Sequence, residues 1–192
     1  MTKVKKLLLI GSNGNLAKSI IGELEFFKIS ILKISRKQIN FLNKYSKIKL
    51  NKFLDKNNPD FIVNCVGLFE NNKVDFDKIF KINTKVSWDL IQYYLINSKK
   101  KVSIVVVGSS AHNKPRKNYI LYAASKASLH SIVKSSKELF NKTQIKLNII
   151  HPPAMKTNMR KNFFKKNKLL LNKNKEVEPK KIARKIIQNF NL

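Results

Sequence analysis

Short apolar runs alternate along the chain with longer segments in which apolar residues recur every three or four positions. The runs predict strands at residues 6–10, 29–34, 61–66, 102–107 and 145–150. The longer segments predict helices at 15–27, 74–96, 119–140 and a last one that has Pro179 in its first turn. Strands that alternate with helices form parallel sheets with helices on both faces. The pattern therefore predicts an α/β fold with a doubly wound, mostly parallel sheet.

Two polar segments lack this clear periodicity. Residues 37–58 predict a weak helix, a short connection and a second helix, whereas residues 158–177 are rich in Lys and Asn and predict no regular element. The 192 residues contain no internal repeat and no interdomain linker, and a chain of this length can bury a sizeable core. We expect residues 1–192 to form a single domain.

The charge of the chain is strongly positive, with 40 Lys and Arg against 11 Asp and Glu and a formal net charge of +29. All but four of the basic residues are Lys, and they are spread from end to end. Proteins that bind nucleic acid more often cluster Arg and interleave aromatic residues. The charge therefore predicts a solvated surface, and we expect no nucleic-acid partner.

Three features bear on the compartment. Cys65 lies alone in an apolar run, which is typical of a buried thiol in a reducing environment. No apolar stretch approaches the roughly 18 residues needed to span a bilayer. The N-terminal apolar run ends at Gly11, too early for a secretory signal. These features predict a cytoplasmic protein with no membrane segment.

A turn with two glycines follows the first predicted strand and opens the first predicted helix, with the sequence Gly11-Ser12-Asn13-Gly14-Asn15-Leu16-Ala17. Gly11 permits a tight turn and Gly14 lets the backbone approach a pyrophosphate. The start of the helix supplies N–H groups and the positive end of its dipole. The turn predicts a dinucleotide site, although strand–turn–helix units without a dinucleotide also contain two glycines.

A second candidate is the pair formed by Tyr122 and Lys126. Residues four apart share a face of a helix, so that the Lys ammonium can lie near the Tyr phenol. A nearby positive charge lowers the pKa of a phenol and allows proton exchange with a substrate. The alternative is an ordinary amphipathic helix in a Lys-rich chain.

Further polar segments follow the other predicted strands. Asn64-Cys65-Val66-Gly67 closes the third strand, Gly108-Ser109-Ser110-Ala111 closes the fourth, and His151-Pro152-Pro153-Ala154-Met155-Lys156-Thr157 follows the last. Asn83 lies midway along the long predicted helix. Loops that follow the strands of a doubly wound sheet converge on one crevice. The sequence predicts that these segments and the glycine turn form one site.

In this order the motifs resemble the short-chain dehydrogenase/reductase family, over residues 3 to about 190. The resemblance implies a Rossmann-type fold, a nicotinamide cofactor and hydride transfer to or from the carbon of a small carbonyl or alcohol. It implies that Tyr122 is the general acid/base and that Lys126 lowers its pKa and holds the nicotinamide ribose. It also implies that Asn83 helps to hold a water linked to Lys126 and that Thr157 steadies the carboxamide.

The resemblance further implies a set of cofactor contacts and no metal. These contacts are Gly11, Ser12, Asn13, Gly14, Asn15, Leu16, Ser35, Arg36, Asn64, Val66, Gly67, Tyr122, Lys126, Pro152 and Thr157. The serine that binds the substrate oxygen has two candidates, since the usual gap to Tyr122 points to Ser109 and the neighbouring Ala111 points to Ser110. We choose Ser110 and infer one deleted loop residue.

The turn after the second strand bears on the cofactor. Relatives that prefer NAD(H) place a carboxylate there to bind the ribose 2′-hydroxyl. This chain has Ser35-Arg36-Lys37, the cations of which could pair with a 2′-phosphate. The sequence favours NADP(H) over NAD(H), and the alternative is an exposed basic pair.

Two other functions remain open at this point. One is a catalytically idle relative that only binds the cofactor, against which the complete set of Ser110, Tyr122 and Lys126 argues. The other is a nucleotide-sugar epimerase or dehydratase, indicated by the segment 58–64 but weakened by the small C-terminal region.

Two expectations concern partners. Apolar residues on the helices of Asn83 and Tyr122 exceed what one sheet face should need and predict a homodimer or homotetramer; they are Trp88, Tyr94, Leu129, Ile132 and Val133. Residues 158–177 follow Thr157, where the family has a mobile substrate lid. Phe163 and Phe164 among cations favour an anionic substrate or an acyl chain.

Overall fold

The computed structural model describes residues 4–97, 99–172 and 176–190, and these residues form one sheet with helices on both faces. All five strands are parallel, in the order β2-β1-β3-β4-β5. The strands are β1 (Lys5–Ile10), β2 (Ile29–Ile34), β3 (Phe61–Asn64), β4 (Val102–Val107) and β5 (Ile145–Ile150). The doubly wound α/β fold predicted from the sequence is confirmed.

Within the described residues, seven α-helices connect or follow the strands. They are α1 (Asn15–Glu23), α2 (Ser46–Asn57), α3 (Phe76–Phe80), α4 (Val86–Ile96), α5 (Ile120–Leu139), α6 (Asn158–Lys166) and α7 (Pro179–Gln188). A π-helical turn, Lys81–Lys85, joins α3 to α4, and a 3-10 turn, Ser110–Asn113, follows β4. None of the helices in the described residues is both long and apolar enough to cross a membrane.

The two faces of the sheet have separate cores. Leu7 and Leu9 pack with α1 and α7, whereas Leu8 and Ile10 pack with α2, α4 and α5. This division follows from the period-two alternation of side chains along a strand. All six residues of β4 are buried, as expected of a β-branched strand covered on both faces.

The chain reverses its winding direction at β1, which pairs with β2 on one side and with β3 on the other. In such sheets ligands bind in the crevice beyond the carboxyl ends of the strands at this point. After β2 the chain passes through turns and enters α2, so that no described strand pairs with the outer edge of β2.

At three segments the secondary structure predicted from the sequence is wrong. The helix predicted over 74–96 is interrupted by the π-helical turn, and no helix forms over residues 37–45. The segment 158–177 contains α6, although its residues 173–175 lie outside the described residues. Its helix forms because Thr157 caps it, accepting a 3.3 Å hydrogen bond from the Arg160 amide, and because Phe163 is buried.

The apolar residues on which the oligomer was predicted divide into two groups. Tyr94, Leu129 and Val133 lie inside the core and have no free surface. Trp88 and Ile132 are partly buried and line a shallow surface depression beside Phe80. Most of the apolar excess is therefore explained by packing within the chain.

Candidate active site

Gly11 makes the sharp turn that leads from β1 into α1. Its φ is +82°, and a Cβ atom at this position would lie 3.0 Å from the Val66 amide nitrogen. The amides of Gly11 and Ser12 donate to the Ile34 carbonyl, over 2.8 and 3.1 Å. Gly14 caps α1 without any side-chain hydrogen bond, so the first N–H groups of the helix are available to a ligand.

A cavity of about 380 Å³ lies between this turn, the end of β2 and the end of β3. Seven of the predicted cofactor contacts line it: Gly11, Asn13, Gly14, Ser35, Arg36, Val66 and Gly67. Its other walls include Cys65 and the apolar residues Ile39, Phe41 and Leu42. The volume is within the range of small-molecule sites.

Four predicted contacts have structural roles in the described protein and do not line this cavity. Leu16 and Ser12 are buried, and the Asn15 side chain accepts a 3.1 Å hydrogen bond from the Asn158 amide. Asn64 donates to the Ser87 hydroxyl over 2.8 Å and accepts from the Val66 amide over 3.1 Å. Asn15 therefore joins α6 to the glycine turn, and Asn64 fixes the loop after β3.

Asn83 lies in the π-helical turn and ties three segments together. Its Oδ1 accepts a 2.7 Å hydrogen bond from the Leu68 amide, and its Nδ2 donates to the Leu68 carbonyl and to the Ser125 hydroxyl, each over 2.9 Å. π-helical turns are frequent at functional sites. Here the turn brings a buried side chain against the loop after β3 and against α5.

Lys126 is 3% exposed and lies beside Gly67, which lines the cavity at the glycine turn. Its Nζ donates a 3.1 Å hydrogen bond to the Val107 carbonyl, and a Cβ atom on Gly67 would lie 3.8 Å from it. Burial lowers the pKa of Lys126 to about 8, since desolvation disfavours the ammonium. Burial raises the pKa of the nearby Cys65 thiol to about 12, which keeps it protonated.

Tyr122 is half-buried on α5 at the edge of a second cavity, of about 320 Å³. Burial raises the pKa of its phenol, whereas a hydrogen bond from the Ser109 hydroxyl and the charge of Arg160 lower it. The charge of Lys126 lowers the pKa of the Cys65 thiol, against the larger effect of burial.

The two serines after β4 differ in their contacts. The Ser109 hydroxyl lowers the pKa of the Tyr122 phenol and accepts a 3.1 Å hydrogen bond from the Ala111 amide. Ser110 begins the 3-10 turn, and its amide donates to the Pro152 carbonyl over 2.9 Å. Both serines line the second cavity, and Ser109 is the one that affects the pKa of the phenol.

The second cavity also contains Pro152 and Thr157 from the loop after β5, together with Met159, which lines both cavities. Two of the four Arg residues of the chain, Arg116 and Arg160, contribute to its wall. Arg160 Nε donates to the buried Glu176 carboxylate over 2.6 Å. Arg116 Nε is buried and has no hydrogen-bond partner among the described residues.

An aromatic cluster holds α6 over Tyr122. Phe69 packs on Tyr122 with ring centroids 4.7 Å apart and stacks on Phe163 at 4.0 Å. Tyr119 contacts Phe69 edge-on at 4.9 Å. Phe163 is 3% exposed, so the segment predicted as a lid is anchored by a buried ring. Phe69 lies in the irregular loop after β3, where no periodicity in the sequence indicates a packed residue.

These observations define a Rossmann-like α/β protein in which a glycine turn at the switch point adjoins a Ser-Tyr pair and a buried Lys. The family model of the short chain dehydrogenases matches residues 8–168. The chain therefore belongs to the short-chain dehydrogenase family, which is a family of oxidoreductases.

Among curated proteins, the chain is similar to the hydroxynaphthalene reductase-like protein Arp2 of Metarhizium anisopliae, with 30% identity over 86 residues. The Arp2 protein of Metarhizium acridum matches equally, with 30% identity over 86 residues. The match covers 44% of this chain and 32% of each relative. It thus spans about a third of the length of these relatives.

Solved structures share the fold over nearly the whole chain. A short chain dehydrogenase family protein from Francisella tularensis has a TM-score of 0.82 at 18% identity, covering 98% of this chain and 91% of its own. ElxO with NADP bound also has a TM-score of 0.82, at 17% identity, with coverage of 98% and 92%. The 3-alpha-hydroxysteroid dehydrogenase from Pseudomonas sp. B-0831, complexed with NADH, has 0.81 at 14% identity, with coverage of 97% and 89%.

Proposed function

We propose that the protein is an NAD(P)-dependent oxidoreductase that interconverts a small carbonyl compound and its alcohol. The observation that carries this proposal is the position of Tyr122 with Ser109 in one cavity, which adjoins the cavity at the glycine turn through their shared residue Met159. A phenol held in this way can exchange a proton with a substrate oxygen. In the proposal Tyr122 is the general acid/base and Ser109, rather than Ser110, orients the oxygen.

The residues around the first cavity fit a dinucleotide. The tight turn at Gly11 and the uncapped start of α1 suit a pyrophosphate. A side chain at Gly11 would press on the main chain at Val66 and so disturb this turn. Residues 35–45 contain no carboxylate, and Arg36 lines the cavity. These features support NADP(H) over NAD(H), with Arg36 and Ser35 on the 2′-phosphate.

When bound, the nicotinamide cofactor accepts or supplies the hydride. During reduction the Tyr122 phenol gives its proton to the substrate oxygen, and during oxidation its phenolate takes that proton back. The Ser109 hydroxyl donates a hydrogen bond to whichever oxygen carries the negative charge. Lys126 faces Gly67 at the wall of the first cavity, where its ammonium would hold the ribose hydroxyls.

The wall of the second cavity supports an anionic substrate. Glu176 neutralises Arg160, whereas Arg116 has a buried Nε with no hydrogen-bond partner among the described residues. Leaving a buried donor of a charged group unsatisfied is costly, and a carboxylate or phosphate would satisfy it. We assign Arg116 as the group that binds the substrate anion and Arg160 as a weaker contributor.

The proposal includes self-association, through fewer residues than the sequence predicted. Only Trp88 and Ile132 of the five predicted interface residues keep exposed surface, beside Phe80 at the junction of α4 and α5. A homodimer through these helices would cover that surface. Light scattering that gave a mass near 22.2 kDa at micromolar concentrations would contradict it.

The proposal is tested with purified protein, NADPH and a panel of small carbonyl compounds, each as a carboxylated and an uncharged analogue. Loss of the nicotinamide absorbance should require Tyr122, so that Tyr122→Phe lowers kcat by about 10²–10⁴-fold without changing the dissociation constant of NADPH. Tyr45→Phe is the matched control, since Tyr45 is exposed and lines neither of the two cavities.

Two further variants complete the test. Lys126→Ala should lower kcat by a similar factor, and the double variant by little more, because the two residues act as a unit. Arg116→Gln should reduce the preference for carboxylated substrates. Binding of NADPH without turnover of any compound would favour the idle relative, and absence of both would overturn the proposed function.

A further inference from the structure

The three His residues of the chain lie close together, and two of them contact the main chain of Ser109. In the sequence they are 18 and 21 positions apart. The rings of His112 and His151 stack with centroids 3.7 Å apart and an angle of 19° between their planes. His130 Nδ1 lies 2.9 Å from His151 Nε2. One potential ligand nitrogen from each ring lies within 4.8 Å of the other two, and all three residues are half-buried.

Main-chain contacts with Ser109 set the orientation of two rings. His112 Nδ1 lies 2.8 Å from the Ser109 carbonyl oxygen, and His151 Nδ1 lies 3.1 Å from the same oxygen. A carbonyl oxygen only accepts, so His112 Nδ1 carries the hydrogen and its Nε2 presents a lone pair. His151 Nδ1 accepts a 3.3 Å hydrogen bond from the Ser109 amide in one tautomer and donates to the Ser109 carbonyl in the other, and only the second tautomer leaves its Nε2 free to bind a metal ion.

This pattern is the one found around imidazoles that bind metal ions. Such imidazoles almost always donate their second ring N–H to a carboxylate, a carbonyl or water, which fixes the tautomer and the ring orientation. Here one carbonyl does this for His112, and for His151 in its metal-binding tautomer. Gly108 makes the approach possible, because a Cβ atom there would lie 2.5 Å from His151 Nδ1.

We propose that His112, His130 and His151 form a binding site for a divalent transition-metal ion of the zinc class. The ligands are Nε2 of His112, Nε2 of His151 and Nδ1 of His130, with water in the fourth position. Imidazole nitrogens suit zinc, and three His ligands with one open position form a known type of zinc site. None of the three His residues lines either of the two cavities, so this site is separate from both.

Binding requires the rings to turn. Nitrogens placed tetrahedrally at about 2.1 Å from zinc are roughly 3.4 Å apart, and those of the three rings lie within 4.8 Å of one another. The His112 and His151 rings are stacked nearly parallel, so they must tilt for both lone pairs to point at one ion. His130 must also move its hydrogen from Nδ1 to Nε2. His130 is half-buried at the surface of α5, where water can hydrogen-bond to that second nitrogen.

The ion would link three elements that surround the Ser-Tyr pair. His112 belongs to the 3-10 turn after β4, His130 to α5 and His151 to the loop after β5. Because both Nδ1–H groups hold the Ser109 carbonyl when the ion is bound, the ion would restrain the residue whose hydroxyl contacts Tyr122. The inference does not depend on the proposed function, since it predicts binding and not catalysis.

The test is a calorimetric titration of chelator-treated protein with Zn²⁺, using a chain without a histidine tag. We expect one Zn²⁺ per chain, and a melting temperature that rises with the Zn²⁺ concentration. Co²⁺ in place of Zn²⁺ should give the visible absorption of a four-coordinate ion. His130→Gln should weaken Zn²⁺ binding by at least about tenfold and abolish the stabilisation.

His130→Gln is the main variant because its side chain lies on a helix surface, and circular dichroism without metal checks that it folds. Glu138→Gln, an exposed carboxylate on the same helix, is the matched control and should bind Zn²⁺ as the wild type does. Non-saturating Zn²⁺ binding, or binding that is equal in wild type and His130→Gln, would overturn the proposal.

Discussion

The ammonium of Lys126 donates a 3.1 Å hydrogen bond to the carbonyl of Val107, the last residue of β4. The bond is buried, and burial is the cause of the lowered pKa of Lys126. A charge held by one neutral acceptor inside the protein lowers the stability of the folded state, and such a position is typical of a functional site.

Replacing this lysine should stabilise the protein. The pKa of Lys126 falls from 10.5 to about 8 on folding, so near neutral pH Lys126→Met removes a penalty on the order of 3 kcal/mol, less the value of the lost hydrogen bond. Between pH 8 and pH 10.5 the unfolded chain binds more protons than the folded one, so wild-type stability rises and the advantage of the variant shrinks. Urea unfolding at pH 7 and pH 10 measures this, and an advantage that grew with pH would refute it.

The two serines after β4 should differ in their effect on turnover. Ser109→Ala removes the hydroxyl that contacts Tyr122, so we expect kcat to fall by about 10²-fold and the pKa of the phenol to rise. Ser110→Ala keeps the amide that binds the Pro152 carbonyl, and its kcat should fall far less. The comparison uses one carbonyl substrate with saturating NADPH. A larger loss in Ser110→Ala would restore the original choice of Ser110.

Discrimination between the two nicotinamide cofactors should depend on Arg36. Arg36→Ala removes charge-assisted hydrogen bonds to a 2′-phosphate, worth about 1.5–3 kcal/mol, and should raise the dissociation constant of NADPH by roughly 10–100-fold. The constant for NADH should stay the same. Lys37→Ala is the control, because Lys37 is exposed and does not line the cavity. Tighter binding of NADH than of NADPH by the wild type would argue against NADP(H).

The neighbouring rings of α6 should have unequal effects on substrate binding. Phe163 is buried against Phe69, so Phe163→Ala should loosen α6, raise KM and leave NADPH affinity unchanged. Phe164 is half-buried and contacts the Arg160 guanidinium at 4.5 Å, so Phe164→Ala should change KM less. Steady-state kinetics distinguish the two variants, and equal kinetics in all three proteins would exclude α6 from substrate binding.

Strands were the easiest elements to predict from the sequence. The continuous β-branched run 102–107 could only be a buried strand, and the structure has β4 at those bounds. The interruption of the helix at Lys81–Lys85 could not be predicted, since one extra residue in a turn leaves the apolar spacing of Ile79, Ile82 and Val86 almost unchanged. The bonds of Asn83 to Leu68 and Ser125 are tertiary contacts.

Sequence motifs predicted the features of the site that lie within a single loop or a single helix. The glycine turn and Tyr122 line cavities as expected, whereas the contacts that distinguish Ser109 from Ser110 depend on how the chain bends after β4. The sequence does not indicate that His112, His130 and His151 lie together, because each belongs to a different element. Helix α6 depends on a ring packed against a distant loop, so it has no local periodicity to detect.

The order of the strands in the sheet gives the excess of lysine a role in opposing aggregation. No described strand covers the outer edges of β2 and β5, and open edges can pair with the edges of other copies. Lys33 on β2 and Lys146 on β5 are exposed, and lysine on an edge strand opposes such pairing. A net charge of +29 adds mutual repulsion between copies. The lysines on the open edges and the net charge thus both oppose the edge-to-edge pairing from which fibrils grow.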